Sequence, residues 1–299
     1  MPIQGSRRDI LKLMGVGGVV FASGLAGAAG KGHRKKSDVD ADFFFLQLSD
    51  THWGYSGVSN PEADVPLKKA VATINGVAAR PDFVVFTGDL THTTDDGAVR
   101  RQRMGEFKQI VSTLWTPTLR LLPGEHDASK DAGLAFRESF GATHYAFGHK
   151  GVHFVALDNV SDPAGAVGDA QIDWLAADLK QVGRDAPIVV LAHRPLFDLY
   201  PQWDWSTKDG AKVIDLLLPH KQVTVFYGHI HQEHHHQTEH IVHHAAKSLI
   251  FPLPAPGSVP KKVPLAWDPA APFKGLGYRE IDLPRPEADP RLVEFSVAG

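Results

Sequence analysis

The chain contains no cysteine in its 299 residues. That absence excludes disulfide bonds, thiolate nucleophiles and cysteine-ligated zinc or iron–sulfur sites, so any metal chemistry has to use nitrogen and oxygen ligands. Net charge is nearly absent as well: 31 Lys and Arg stand against 34 Asp and Glu, a formal −3. Such a balance gives no electrostatic footprint for wrapping nucleic acid or coating an anionic membrane, and a phosphate would have to be held by a local site. Internal repeats are lacking too. Against these absences stand 17 histidines and an ordinary 43% of hydrophobic residues, which suit a globular protein rather than a disordered one.

Two segments precede the main domain. Ser6-Arg7-Arg8-Asp9-Ile10-Leu11-Lys12 leads into an apolar, Gly/Ala-rich run from Leu13 to about Ala29, with Ala26-Gly27-Ala28 as a candidate cleavage site. Paired arginines before a modest hydrophobic region make a twin-arginine export signal, expected over residues 1–29. So many glycines and alanines insert weakly into lipid, so cleavage is expected over retention as an anchor. The expected partner at this stage is the twin-arginine export machinery, the location periplasmic or secreted, and no stable membrane association follows cleavage. Residues 30–41 are charged and small and read as a linker, leaving 42–299 as one domain.

Within that domain apolar strands repeatedly end in acids and histidines. Phe43 to Leu48 reads as a buried strand and runs into Ser49-Asp50-Thr51-His52. A helix follows, with Leu67, Ala70, Val71, Ile74, Val77 and Ala78 at helical spacing and Pro81 as its stop. Strand Asp82–Thr87 ends at Gly88-Asp89 and, after a helix over 98–114, strand Leu119–Leu122 ends at Pro123-Gly124-Glu125-His126-Asp127. A hairpin turns around Gly148 to Gly151, and Asp169 is the expected cap of the next helix. Strand Ile188–Ala192 ends at His193, and strand Val223–Tyr227 ends at Gly228-His229-Ile230-His231. Further strands are expected over Ile241–Phe251, Gly277–Leu283 and Arg291–Val297.

In an open α/β sheet the carboxyl ends of the strands gather at one edge, so these residues can share one site. Two cations about 3.5–4 Å apart can clamp a phosphate and activate water, and imidazole with carboxylate suits Fe, Mn, Zn or Ni alike. The order Asp50-x-His52, Gly88-Asp89, Gly124-Glu125-His126-Asp127, His193 and Gly228-His229-Ile230-His231 resembles the calcineurin-like metallophosphoesterase superfamily, most of all its cyclic-nucleotide phosphodiesterase group. The resemblance implies an α/β fold of two packed mixed β-sheets flanked by helices, with a dinuclear metal site at the sheet edge. It puts Asp50, His52 and His231 on one metal, His193 and His229 on the other, and Asp89 between them. It makes His126 a proton donor or charge stabiliser beside the leaving group, oriented by Asp127. At position 125 the superfamily has asparagine, so Glu125 is a departure; it is expected to remain a ligand of the second metal.

The function expected is therefore hydrolysis of a small phosphomonoester or phosphodiester by metal-activated water. The alternative from another class is a periplasmic metal-binding protein with a degenerate, non-catalytic site. Other residues admit plainer uses. His92 is either a contact beside the site or a solvated loop side chain, the expectation being the latter, and Arg194 is either a phosphate contact or a surface ion-pair partner. His234-His235-His236, with His240, His243 and His244, resembles a metal-capture tract, but a polar hairpin loop over Gln232–Glu239 with exposed histidines is the expectation. Tyr200, Trp203 and Trp205 can form an aromatic wall, although interior packing is the expected use.

Overall fold

The computed structural model describes residues 20–21, 43–116, 118–283 and 290–297. Apart from Val20–Phe21, the expected export signal lies outside the described residues, and so does the whole linker. The first half of the chain forms β1 (Val20–Phe21), β2 (Phe43–Leu48), α1 (Val65–Gly76), β3 (Phe83–Thr87), α2 (Gly97–Val111), β4 (Leu119–Leu122), α3 (Glu125–Ala128), α4 (Leu134–Phe140), β5 (Tyr145–His149) and β6 (Val152–Ala156). The second half forms α5 (Asp169–Leu179), β7 (Ile188–Leu191), α6 (Gly210–Leu217), β8 (Val223–Tyr227), β9 (His234–Thr238), β10 (Ile241–Ala245), β11 (Gly277–Leu283) and β12 (Arg291–Ser296).

Two mixed sheets result, in the orders β1-β12-β11-β2-β3-β4 and β5-β6-β7-β8-β10-β9. Each contains a parallel run: β2, β3 and β4 at one side of the first, β6, β7, β8 and β10 at the centre of the second. Side chains alternate across a strand, and β2 is apolar on both faces. Phe43 and Phe45 join Phe83, Phe154, Leu191 and Phe226 in a core between the sheets. Phe44, Leu46 and Leu48 face the other way, onto Leu67, Val71 and Ile74 of α1 and Met104 and Phe107 of α2. The outer face of the second sheet packs on α5 and α6 through Leu175, Leu179, Val213 and Leu217. This is the expected arrangement of two sheets flanked by helices. Gln47, fully buried, ties the layers together by donating to Thr87 Oγ1 and to the Tyr227 carbonyl, both at 3.1 Å.

Several local expectations are corrected. Residues 232–239 are not a loop: His234–Thr238 pairs antiparallel with β10, because alternate residues of the tract find partners across the strands. The strand expected over Ile241–Phe251 ends at Ala245, after which the chain turns and Ser248 Oγ donates to the Phe251 carbonyl at 2.6 Å. Helix α1 stops at Gly76, five residues before Pro81, and leaves Val77 and Ala78 outside it, since Val77 is extended. At α5 the cap position is Gly168; Asp169 is the first helical residue and pairs with Lys212. The carboxylate that receives the Val167 and Gly168 N–H groups is Asp209. Trp203 and Trp205 are buried in a core with Tyr227 and Ile250, in keeping with interior packing.

Candidate metal centre

All seven expected ligands lie at the carboxyl ends of parallel strands, and the structure brings them together. Asp50 and His52 follow β2, Asp89 follows β3, and Glu125 opens α3 just beyond β4; His193 follows β7, and His229 and His231 follow β8. Five of them are non-glycine residues in the left-handed backbone region: Asp50 (φ 54°), His52 (41°), Asp89 (48°), His229 (66°) and His231 (54°). Each costs of order 1 kcal/mol, and such strain persists only where surrounding contacts fix it. The contacts are backbone hydrogen bonds that zip one strand end to the next: Asp50 N–H to the Gly88 carbonyl, His52 N–H to the Asp89 carbonyl, and Gly228 N–H to the His193 carbonyl, at 2.9–3.1 Å. Gly124 is required by proximity, since a Cβ there would overlap the Asp89 backbone nitrogen and carboxylate.

The ligand atoms fall into two groups joined by a third. Asp50, His52 and His231 converge on one point, and Glu125, His193 and His229 on another. Asp89 Oδ2 lies between them, 3.4 Å from His52 Nε2 and 3.5 Å from His193 Nε2. The Glu125 carboxylate spans its pair of histidines, with Oε2 at 2.8 Å from His193 Nε2 and Oε1 at 2.9 Å from His229 Nδ1.

The outer nitrogens decide which tautomer each ring adopts. His193 Nδ1 donates to the Thr87 carbonyl (2.7 Å), His229 Nε2 to the Asp204 carbonyl (2.9 Å) and His231 Nδ1 to the Phe251 carbonyl (2.8 Å). With the ring proton spent outward, the inner nitrogen presents a bare lone pair, the arrangement that metal-bound imidazoles need. His193 Nε2 and Glu125 Oε2 are buried and 2.8 Å apart, yet neither is aligned for a hydrogen bond. Two buried polar groups held this close without a hydrogen bond are costly, and a cation between them removes the cost. Four imidazoles and three carboxylates therefore fit a pair of first-row transition ions.

The electrostatics ask for the same positive charge. Burial and the adjacent Glu125 push the Asp89 carboxyl up, but the rings of His193, His126 and His52 outweigh them and hold it well below the usual carboxylate range. For Glu125, burial is overcome by His229 and His193 in the same sense. Burial keeps the rings of His52 and His229 below their ordinary value. At His193 burial is overcome by the carboxylates of Asp89 and Glu125, which raise the ring well above that value, so without metal a proton there supplies the positive charge.

His126 and Asp127 occupy different roles from one another. The Thr93 N–H donates to His126 Nδ1 at 3.2 Å, which leaves the ring proton on Nε2. The backbone N–H of His126 donates to Asp89 Oδ1 at 2.9 Å, and a ring nitrogen lies within 4.8 Å of the carboxylate oxygens of Asp89 and Glu125. Asp127, expected to orient that ring, is occupied elsewhere. Its carboxylate accepts from the N–H groups of Leu90, Thr91 and Gly124 and from Thr91 Oγ1, at 2.8–2.9 Å. Burial and repulsion from Asp89 raise its pKa to about 6, against the pull of those donors. It thus clamps the loop after β3 to the loop after β4.

His92 is not the solvated side chain that loop position suggested: its Nδ1 lies 3.3 Å from His52 Nδ1, and its ring packs against His126 and Tyr55. Arg194 Nε lies 3.8 Å from Glu125 Oε2. Sequence reasoning missed Tyr55 and Phe251, whose rings flank His52, His92 and His231. No spacing signal marked them, because Phe251 arrives from the far side of the β10 turn.

The model of the calcineurin-like phosphoesterase family matches residues 45–233, more than half of the chain and a span that includes all seven expected ligands. The chain belongs to the calcineurin-like phosphoesterase family. Among curated relatives, a probable cyclic nucleotide phosphodiesterase of Rhodococcus erythropolis is 28% identical over 204 residues, which take in 63% of this chain and 64% of that protein. A glycerophosphodiester phosphodiesterase of Enterobacter lignolyticus is 28% identical over 205 residues, 62% of this chain and 69% of that protein. The chain thus spans just under two thirds of the length of the Rhodococcus relative. Of solved structures, a dimetal phosphatase from Danio rerio superposes with a TM-score of 0.58 at 13% identity, covering 86% of this chain and 99% of the other, and shares the fold.

Proposed function

We propose that the chain is a dinuclear-metal phosphoesterase hydrolysing a small phosphomonoester or phosphodiester. The observation that carries this reading is the convergence of two ligand groups on Asp89, with the outer nitrogens of His193, His229 and His231 each fixed on a main-chain carbonyl. Asp50, His52 and His231 would hold one ion, Glu125, His193 and His229 the other, and Asp89 both. Two such ions supply charge neutralisation for the phosphate and lower the pKa of water.

The remaining chemistry falls to the chain's own side chains. The Thr93 N–H keeps the His126 proton on Nε2, so this ring can give a proton to a departing alkoxide or aryloxide oxygen. Asp127 holds the Leu90–Thr91 segment against Gly124 and so fixes the distance between Asp89 and Glu125. Glu125 serves where the superfamily has asparagine because its longer arm reaches both His193 and His229. The two named relatives above are both described by diester hydrolysis, which makes diesters the first substrates to test.

The test is hydrolysis of 4-nitrophenyl phosphate and bis(4-nitrophenyl) phosphate by purified protein loaded with Mn, Fe or Zn, with metal content measured in parallel. Turnover of either ester with two bound ions is expected. Two bound ions and no turnover of either ester would leave a metal-binding protein instead. We also infer that Arg7-Arg8 and the following apolar run direct twin-arginine export to the periplasm or beyond. A mature N-terminus near residue 29 in exported protein is expected, and export that survives replacement of both arginines by lysine would refute it.

A further inference from the structure

Three of the four ligand histidines rest their outer nitrogen on a main-chain carbonyl, which no substitution removes. His52 is different. Its Nε2 faces the site, 3.3 Å from His231 Nε2 and 3.4 Å from Asp89 Oδ2. For that nitrogen to offer a lone pair, the ring proton must sit on Nδ1, and the group facing Nδ1 is the side chain of His92, at 3.3 Å. We propose that His92 is the positioning residue of the first metal subsite: its Nδ1 accepts the His52 Nδ1–H and so fixes the tautomer and tilt of the ligand ring. This rests on the dinuclear site proposed above.

The acceptor is placed by the fold rather than by chance. The loops after β2 and β3 are paired: Trp53 N–H donates to the Leu90 carbonyl at 3.0 Å, and His92 N–H donates to the Trp53 carbonyl at 2.9 Å. Arg103 on α2 reaches across and donates to the carbonyls of His92 and Thr93, at 2.8 and 3.1 Å. To do so it crosses Gly54 (φ 88°), where a side chain would overlap its Cδ and Nε. Tyr55 and His126 then confine the His92 ring edge-on and obliquely, with centroids 5.0 and 4.9 Å away. A solvated loop histidine needs none of this support. For His92 to accept at Nδ1 its own proton must be on Nε2, so the two rings form a directed pair running from His92 to His52 to the metal position.

Removing an outer acceptor from a metal-bound histidine typically lowers metal affinity about 10–100-fold. The experiment compares His92→Asn, whose amide oxygen can take the place of Nδ1, with His92→Leu, which fills similar space without an acceptor. Equilibrium binding of Zn²⁺ to the full chain is followed by competition with a chromogenic chelator. His92→Leu should weaken one of two bound ions about 10–100-fold while the other stays as in the wild type, and His92→Asn should return to within a few-fold of wild type. Circular dichroism and thermal unfolding of the metal-free proteins identify a variant that fails to fold, in which case His92→Asn against His92→Gln decides by reach. Equal binding by wild type and His92→Leu overturns the proposal, as does equal loss in the Leu and Asn variants, which would mark a packing role. A third Zn²⁺ in the wild type that disappears in His92→Leu also overturns it, by making His92 a ligand. If the wild type binds fewer than two ions, it is the dinuclear reading itself that fails.

Discussion

Among the described residues two clusters of imidazoles stand out, one buried at the sheet edge and one half-buried on β9 and β10, and only the first gathers its ligand atoms as a metal site needs. Around Asp89, four histidines alternate with three carboxylates, and their inner nitrogens converge. On β9 and β10, His234, His235, His236, His243 and His244 meet each other, Phe197 and Tyr227, and a carboxylate, Glu233, reaches the edge of the group at His235, 3.5 Å from its Nε2. His235 and His244 share a hydrogen bond between their Nδ1 atoms at 2.6 Å, His236 stacks on Phe197, and both nitrogens of the fully buried His243 lack a partner. Among the described residues, no group of three potential ligands includes a histidine of β9 or β10. Histidine density therefore says little about metal binding. What matters is whether carboxylates and rings aim their atoms at one point and whether each ring has an outward acceptor that frees its inner lone pair.

The contrast can be broken first at Asp89. Asp89→Ala removes the oxygen shared by both ligand groups and should lower kcat/KM on bis(4-nitrophenyl) phosphate on the order of 10³-fold, about 4 kcal/mol, with fewer than two bound ions. An Asp89→Ala protein that keeps both metal and turnover would end the proposed assignment. Next, His126→Ala should cost on the order of 10²-fold in kcat, and more with an alkyl than with a nitrophenyl leaving group, since the poorer leaving group depends more on a proton. Equal loss with both esters would show that His126 does not supply that proton.

The second cluster should reveal itself in stability rather than catalysis. Burial, aided by His236, holds the pKa of His243 down to about 3, and burial, aided by Arg279 and His235, holds that of His244 down to about 2, against an ordinary 6.5. Between those values the unfolded chain binds more protons than the folded one, so stability is full above about pH 6.5 and falls as the pH drops towards 3. The slope is up to about 1.4 kcal/mol per pH unit for each ring. His243→Leu should flatten part of that slope in urea unfolding between pH 7 and 4; a curve parallel to wild type would show that this ring does not couple to folding. The smallest effect is expected of His235→Ala, which loses its hydrogen bond to His244, worth about 1 kcal/mol, and an exposed contact with Glu233, and leaves the number of bound ions unchanged. A lost ion there would erase the distinction between the clusters.

Much of this distinction was legible in the sequence, for a definite reason. Asp50, Asp89, His193, His229 and His231 each follow an apolar strand, and parallel strands align their carboxyl ends, so residues far apart in sequence share an edge whatever the details of packing. The role of His92 was not legible, because a loop residue five positions past the end of β3 carries no periodicity. Its contact with His52 exists only because the loops after β2 and β3 pair and Arg103 closes over them. Asp127 was misread for a related cause: adjacency to His126 suggested a partnership, while the short turn of α3 aims its carboxylate at three backbone N–H groups.

By itself, then, the sequence determined the succession of strands along the chain, the nitrogen and oxygen character of the candidate ligands and the edge at which they meet. These follow from hydrophobic patterning, the absence of cysteine and the geometry of parallel sheets. Only the tertiary structure decided which nitrogen of each histidine faces inward, since that depends on carbonyls from Thr87, Asp204 and Phe251, far from the rings in the chain. A tautomer is set by what lies on the outer side of a ring, and folding alone brings that neighbour into place.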